Sequence, residues 1–365
     1  YGYDGVVCTD WGVTGDVSAV DRFEGKSWGA ETLSVAERHY RIIMAGVDQF
    51  GGNNDKGPVL EAYSMGVKEN GEEFMRSRFE QSAVRLLKNI FRVGLFENPY
   101  LDTENTRNTV GNPEFMKEGY DAQLRSVIML KNRSGSLPLK KQMKVYIPRR
   151  YTPAGRDWFG RETPEMWTDP VNPAIVSKYS EVVEKPALAD FALVSISSPA
   201  GGTGYDRRDA DNKGNGYVPV SLQYSKYRAD HARETSIAGG SPLESFTNRS
   251  YLGKTVETRN MYDMKMVNGT KAVMGNKPVI VLVDVSNRMV FSETEKNSDA
   301  ILVHFGVQDQ ALLDIITGSF EPSGLLPFQM PSDMKTVEEQ FEDVPRDMKP
   351  YTDSEGNTYD FGFGL

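Results

Sequence analysis

The chain has one cysteine, Cys8, and only three histidines among its 365 residues. A lone thiol excludes an intrachain disulfide and any cysteine-rich metal site. The histidines (His39, His231 and His304) are scattered, and no carboxylate or histidine cluster has metal-ligand spacing. None lies in a nucleophile-elbow context with an exposed serine, which removes the signature of a serine esterase. Long apolar runs are missing too. Nothing approaches the roughly 20 residues that span a bilayer, so no membrane partner is expected. Positive charge is in deficit: 42 Lys and Arg against 51 Asp and Glu leave a net charge of −9. Nucleic-acid binding needs a clustered basic surface, so that class of partner is not expected either. Gly253-Lys254-Thr255 is similar to the end of a phosphate-binding loop, but Asn248 stands where the upstream glycine belongs. No cofactor is expected. Three sequons, beginning at Asn132, Asn248 and Asn268, are short enough to arise by chance.

What is present is ordinary globular composition, 39% hydrophobic and 25% charged, on a chain long enough for two domains. Residues 1–104 alternate strand-like and helix-like segments. Val6-Val7-Cys8 and Val47-Asp48-Gln49-Phe50 read as short strands. A polar loop covers 18–27, and a helix is predicted over 31–45. The turn-rich run 51–57 reads as a loop. Between Glu72 and Phe91, the apolar residues Phe79, Ala83, Leu86, Leu87, Ile90 and Phe91 recur at helical spacing, and Gly94 is a natural stop. Residues 105–120 lie in a polar, turn-rich stretch read as a linker. From 121 to 365 the pattern changes. A helix is predicted over 123–130, then strands at 144–147, 191–196, 279–283 and 300–304, and a helix over 310–317. Continuous apolar runs such as Val279-Ile280-Val281-Leu282-Val283 belong to strands covered on both faces, as in a largely parallel sheet. The segment 199–262 is a long loop whose many tyrosines argue against simple disorder.

The first sixteen residues carry the chemistry. The apolar run Val6-Val7-Cys8 ends abruptly in Thr9-Asp10-Trp11-Gly12. A carboxylate and an indole at the C-terminal end of a buried strand sit where α/β barrels and sheets keep their reactive groups. Asp10 is a candidate nucleophile, and Trp11 offers a flat face on which a sugar ring could stack. Taken alone, the same two residues equally describe a helix-capping Asp beside a core Trp.

The wider pattern Gly2-Tyr3-x-Gly5-x-Val7-x-Thr9-Asp10-Trp11 resembles the nucleophile signature of glycoside hydrolase family 3, the β-glucosidase and β-xylosidase family. Further blocks follow in the family's order. Met44-Ala45-Gly46-Val47-Asp48 resembles the next barrel strand, and Ala83 to Lys88 running into Gly94 to Tyr100 resembles the helix and turn closing the barrel. Ser126 to Asn132 with Leu137-Pro138-Leu139 is similar to the entry into the second domain. Ala311 to Gly318, Pro322 to Pro327 and Tyr359 to Leu365 complete the match. The resemblance implies the C-terminal part of a TIM-like barrel followed by an α/β sandwich. Because the chain starts at Tyr1 in a barrel strand, most of the barrel and any targeting segment would precede it. An exported location, periplasmic or secreted, fits better than a cytoplasmic one.

The resemblance also implies a retaining, exo-acting hydrolysis of β-D-glucosyl or β-D-xylosyl units from oligosaccharides or aryl β-glycosides. Two carboxyl groups about 5 to 5.5 Å apart perform that reaction, one as nucleophile and one as acid/base. Asp10 matches the family's nucleophile and Trp11 the aromatic beside it. In many members the acid/base is the Glu of Gly-Glu-Gly-Tyr-Asp-Arg. Here the block is Gly202-Thr203-Gly204-Tyr205-Asp206-Arg207, and Thr203 occupies the Glu position. A threonine hydroxyl has no usable proton-transfer pKa near neutrality. Three sources of the donor stay open: another loop glutamate (Glu234, Glu244 or Glu257), the missing barrel, or none in an impaired enzyme. Asp206-Arg207 reads as an ion pair holding the loop or as a contact to a substrate hydroxyl, and Asp48 as structural or as a sugar contact. A non-catalytic carbohydrate-binding protein on the same scaffold, motivated by Thr203, is the competing class, and a glycoside phosphorylase a third.

Overall fold

A computed structural model describes residues 2–16, 27, 30–140, 142–156, 161–237, 245–341 and 344–365. The chain divides into two compact units, Tyr1–Asn112 with Arg156–Glu162, and Pro113–Gly155 with Thr163–Leu365. Apart from Ser27, the polar loop read over 18–27 lies outside the described residues.

The first unit is built on helices α1 (Val35–Met44), α2 (Gly57–Asn70), α3 (Glu72–Arg92) and α4 (Thr103–Thr109). Ser34 starts α1 with a reciprocal capping box: its hydroxyl accepts from the Glu37 amide while Glu37 accepts from the Ser34 amide. Helix α2 carries no clear apolar stripe in sequence, and its position is set by contact. Gly66 lies so close to α3 that a Cβ there would stand 2.5 Å from the Met75 sulfur. Ile43, Ala62 and Met75 form the small core between these helices. The two segments read as strands, 6–8 and 47–50, meet in a single parallel bridge, Cys8 to Gln49. Strand character needs neighbours to extend a hydrogen-bond ladder, and here each segment has one partner.

In the second unit a six-stranded sheet is formed by β1 (Ile128–Asn132), β2 (Lys144–Tyr146), β3 (Glu181–Val183), β4 (Phe191–Ser197), β5 (Val279–Asp284) and β6 (Ala300–His304). Its order is β1-β6-β5-β4-β2-β3. Every neighbouring pair is parallel except β1 with β6. The expected largely parallel sheet is therefore present. The helix predicted over 123–130 is corrected: α5 (Pro113–Ser126) ends at Ser126 and Ile128 begins the antiparallel edge strand. Residues 105–120, expected to be linker, run from α4 into the first half of α5.

Alternation explains the continuous apolar runs of the central strands. Ala192, Val194, Val281, Val283, Ile301 and Val303 face one core, with Val267 and Met274 of α6 (Tyr262–Met274) against them. Phe191, Leu193, Ile280, Leu282 and Leu302 face the other, with Leu124 of α5 and Leu312, Ile315 and Ile316 of α7 (Asp309–Ile316). Each fully buried side chain of this size contributes about 1.5–3 kcal/mol.

The described parts of the long segment, 199–237 and 245–262, are folded on one another. Gly201 bridges Ser221, Tyr205 bridges Tyr217, and Tyr227–Arg228 pairs with Thr255–Val256. The Lys254 ammonium ties three points together, donating to Asp209 at 2.5 Å, Asn215 at 2.5 Å and the Tyr217 carbonyl at 2.7 Å.

One charge pair is sealed inside this unit. Lys131 on β1 donates to the Glu295 carboxylate, and both side chains have no solvent exposure. Tyr351 at 3.0 Å and Ser354 at 2.7 Å complete the Glu295 acceptor set. Burial alone would raise the Glu295 pKa, but hydrogen bonds from Lys131 and Ser354 and the Lys131 charge outweigh it and hold it down. Removing the lysine leaves a buried carboxylate uncompensated. Lys131→Met is expected to cost about 3–5 kcal/mol in denaturant unfolding. A loss under about 1 kcal/mol would show that the pair is not a structural keystone.

Candidate active site

Asp10 follows a segment pinned to the chain around Gln49. Val7 accepts from the Asp48 amide at 2.8 Å, Thr9 donates its amide to the Gln49 carbonyl at 3.0 Å, and the Thr9 hydroxyl accepts from the Gly51 amide at 2.9 Å. At the end of this pinned run the Asp10 side chain is exposed, with Oδ1 accepting from the Trp11 amide at 2.7 Å. Trp11 is 64% exposed. Beneath its ring runs Gly52, at φ +65°, where a Cβ would stand 2.8 Å from the indole. Both the backbone angle and the close approach require glycine there. The structure thus brings Asp10 and Trp11 together at an open surface, and neither is a core residue.

The segment is held from below by Asp48, whose carboxylate has no solvent exposure. It accepts from the Val7 amide at 3.0 Å, the Ser82 hydroxyl at 2.7 Å and Arg85 at 3.2 Å, with Arg78 at 3.5 Å. Arg78 also donates to the Ile43 and Val47 carbonyls. Asp48 is a structural clamp rather than a sugar contact. Its partners on α3 were not read from the sequence, although Ser82 and Arg85 lie three residues apart, on one helix face. The loop under Trp11 is fastened separately. The His39 Nδ1–H donates to the Val35 carbonyl at 2.8 Å, and Nε2 accepts from the Asn53 amide at 2.8 Å. Burial depresses the His39 pKa, so the ring stays neutral in this role.

The second unit shows why the family-like loop lacks a proton donor at its expected place. Thr203 donates its hydroxyl to the Tyr205 carbonyl at 2.9 Å. Asp206 caps the short helix Arg207–Asp211 by accepting from the Arg208 amide, and lies 3.4 Å from the Arg208 guanidinium. Arg207 approaches Asp211 at 4.0 Å. Asp206 thus serves as a helix cap. Of the three glutamates, Glu257 is exposed and bonded to Lys226 at 2.8 Å. That hydrogen bond and the ammonium charge lower its pKa, the opposite of what a proton donor needs. Glu234 is exposed, and Glu244 lies outside the described residues. Among the described residues no group of three His, Cys, Asp or Glu is placed to hold a metal ion, and no helix is long and apolar enough to cross a membrane.

Burial by itself raises the Asp48 pKa, but the hydrogen bonds from Val7, Ser82 and Arg85 and the Arg85 charge win and lower it. Its stabilisation is complete above the unfolded-state value, near about pH 4. It is lost as the pH falls through the depressed folded-state value. Asp48→Asn is expected to cost about 1.5–3 kcal/mol at neutral pH and to flatten the acid limb of the stability profile. Identical denaturation midpoints and acid limbs for the two proteins would contradict the clamp.

Residues 257–365 match the glycosyl hydrolase family 3 C-terminal domain. Over its whole length the chain is 29% identical to a probable beta-glucosidase C of Aspergillus flavus, covering 46% of that protein. It is 26% identical to a periplasmic beta-glucosidase/beta-xylosidase of Dickeya chrysanthemi, again over 46% of it. In structure it is similar to the beta-glucosidase of Listeria innocua, with a TM-score of 0.57 at 16% identity, covering 100% of this chain and 47% of the other. That enzyme has been seen in complex with glucose, and a mutant of it with laminaribiose. The chain spans about half the length of the curated relatives it matches. Domain match, full-length similarity and shared fold agree with the ordered motifs: residues 257–365 carry the glycosyl hydrolase family 3 C-terminal domain, and the chain as a whole is similar to the C-terminal portion of longer beta-glucosidases.

Proposed function

We propose that this chain is the nucleophile-bearing, C-terminal part of a retaining exo-β-glycosidase acting on β-D-glucosyl or β-D-xylosyl units of oligosaccharides. The observation that carries the reading is the exposed Asp10 carboxylate beside the exposed Trp11 ring, at the end of a segment fixed from below. In the reaction Asp10 attacks the anomeric carbon as the leaving oxygen is protonated, and water then releases the sugar from the carboxylate. Trp11 packs against the ring of the glycone. The glucose and laminaribiose bound by the Listeria enzyme are in keeping with a glucosidic substrate.

The proton donor is not Thr203, whose hydroxyl is spent on a carbonyl, nor Glu257, which Lys226 keeps ionised. It comes from elsewhere in the loop or from the remaining part of the barrel. The described part of the first unit supplies one strand bridge and four helices, and Val84, Leu87 and Phe91 of α3 stay exposed. These residues belong to a surface that the rest of a barrel covers. The 365-residue chain alone therefore lacks most of a glycone pocket.

Two kinetic comparisons test the reading. A longer form carrying the whole barrel should hydrolyse aryl β-glucoside or β-xyloside, while the 365-residue chain should have little or no activity. In the longer form Asp10→Asn should lower kcat at least about a thousandfold. Comparable rates for chain and longer form would defeat the fragment reading. Absent turnover in the unmutated longer form, with sugar binding intact, would favour a carbohydrate-binding protein on this scaffold.

A further inference from the structure

A cleft of about 1330 Å³ in the second unit has no role in the chemistry above. It opens at the C-terminal end of β2, where Ile147, Pro148 and Arg149 leave the sheet. The strand order reverses between β2 and β4, and the cleft lies beside that point, lined by the ends of β2 and β3. Crevices beyond the carboxyl ends of strands at such a reversal are where open α/β sheets take ligands. From there the cleft follows the outer face of α6, from Tyr262 to Val273. Eleven helical steps make a run of about 17 Å.

The lining has a definite chemistry. Trp167 is 56% exposed, and its ring lies 5.0 Å from Tyr151, which meets Tyr262 edge-on at 4.6 Å. This aromatic wall is braced by polar contacts. Arg149 donates to the Trp167 carbonyl at 2.6 Å and lies 3.5 Å from Asp169, and the Tyr151 hydroxyl donates to Glu165 at 2.7 Å. The Lys265 ammonium sits 4.7 Å over the Tyr262 ring. Arg149 and Lys265 balance Asp169 and Glu184 along the wall. A site for phosphate or another anion would carry a cationic excess. An exposed indole flanked by two cationic and two anionic side chains, with no cationic excess, instead fits an uncharged ligand with apolar faces and hydroxyl edges. The volume exceeds the roughly 300–1,000 Å³ of ordinary small-molecule pockets, which points to several linked units.

We propose that this cleft is a second, non-hydrolytic saccharide site that holds an uncharged β-linked oligosaccharide on Trp167. Only the choice of β-glucan as ligand rests on the function proposed above. The site is built wholly from residues 146–273, so it is tested on the 365-residue chain itself by calorimetric titration with laminarihexaose and cellohexaose. At least one should bind saturably, and Trp167→Ala should weaken that binding about tenfold or more, as expected for losing one stacked aromatic. A second variant separates blockage from misfolding. Gly269 lies exposed on α6, and a Cβ there meets nothing within 4 Å. Gly269→Gln therefore fills the cleft while favouring the helix, and should also abolish binding with a thermal melt no lower than that of the wild type. Trp11→Ala should leave the titration unaltered. Absence of binding to either hexasaccharide, or equal binding by wild type and both cleft variants, would overturn the proposal. Turnover of aryl glycoside by the longer form reads the catalytic assignment separately, so either can fail without the other.

Discussion

The Asp48 carboxylate binds together three pieces of chain distant in sequence: its own segment, the run that leads to Asp10, and helix α3. A charged group with no solvent exposure is costly unless its acceptor sites are filled, and here an amide, a hydroxyl and a guanidinium fill them. The consequence for function is positional. Val7 cannot shift without breaking a hydrogen bond to a buried charge, and Asp10 follows it by three residues. Fixing the proposed nucleophile in this way lets an exposed carboxylate keep a defined direction, because rigid support replaces the order that burial would otherwise give.

The second unit solves the same problem on a larger scale. Its sheet is buried on both faces, and a second enclosed carboxylate, Glu295, receives Lys131 from the edge strand and Tyr351 and Ser354 from the C-terminal segment. The C-terminus itself closes on that strand, Leu365 donating its amide to the Met129 carbonyl at 2.9 Å. Loops leaving this frame at the carboxyl ends of the strands are thereby anchored at their bases. The long segment after β4 adds its own internal fastening through Lys254.

The legible parts of this architecture were those where burial imposes a one-residue rule. Strands β4, β5 and β6 carry continuous apolar runs, broken only by Ser195 and at their C-terminal ends (Ser197, Asp284, His304), because both faces are covered, and these runs stand out in the sequence. Helix α3 was legible from its apolar spacing, but the single buried face that the spacing predicts is not found: Leu87 and Phe91 are exposed and only Met75 is buried. Helix α2 was not, since it packs through Gly66 and Ala62 rather than a stripe of large side chains. Ile128-Met129-Leu130 was read as helix because short apolar runs carry no period of their own. Only pairing with β6 makes it a strand. At the site, Asp10 and Trp11 were legible as a motif, whereas the clamp on Asp48 needed Ser82 and Arg85 to be brought from more than thirty residues away. The aromatic wall of Tyr151, Trp167 and Tyr262 joins residues that share no sequence pattern and was invisible for that reason.

Thr203 separates what is shared with the family pattern from what is particular to this chain. Its hydroxyl supports the turn of the loop, and no proton is available there for a leaving group. The account therefore rests on the carboxylate proposed to bond with sugar, and that bond can be weighed. A longer form carrying the whole barrel, incubated with a 2-deoxy-2-fluoro β-glycoside bearing a good leaving group, should stall as a glycosyl-enzyme. Peptide mass spectrometry should then place the added sugar on Asp10. A label on any other residue, or turnover with no trapped adduct, would contradict the central claim.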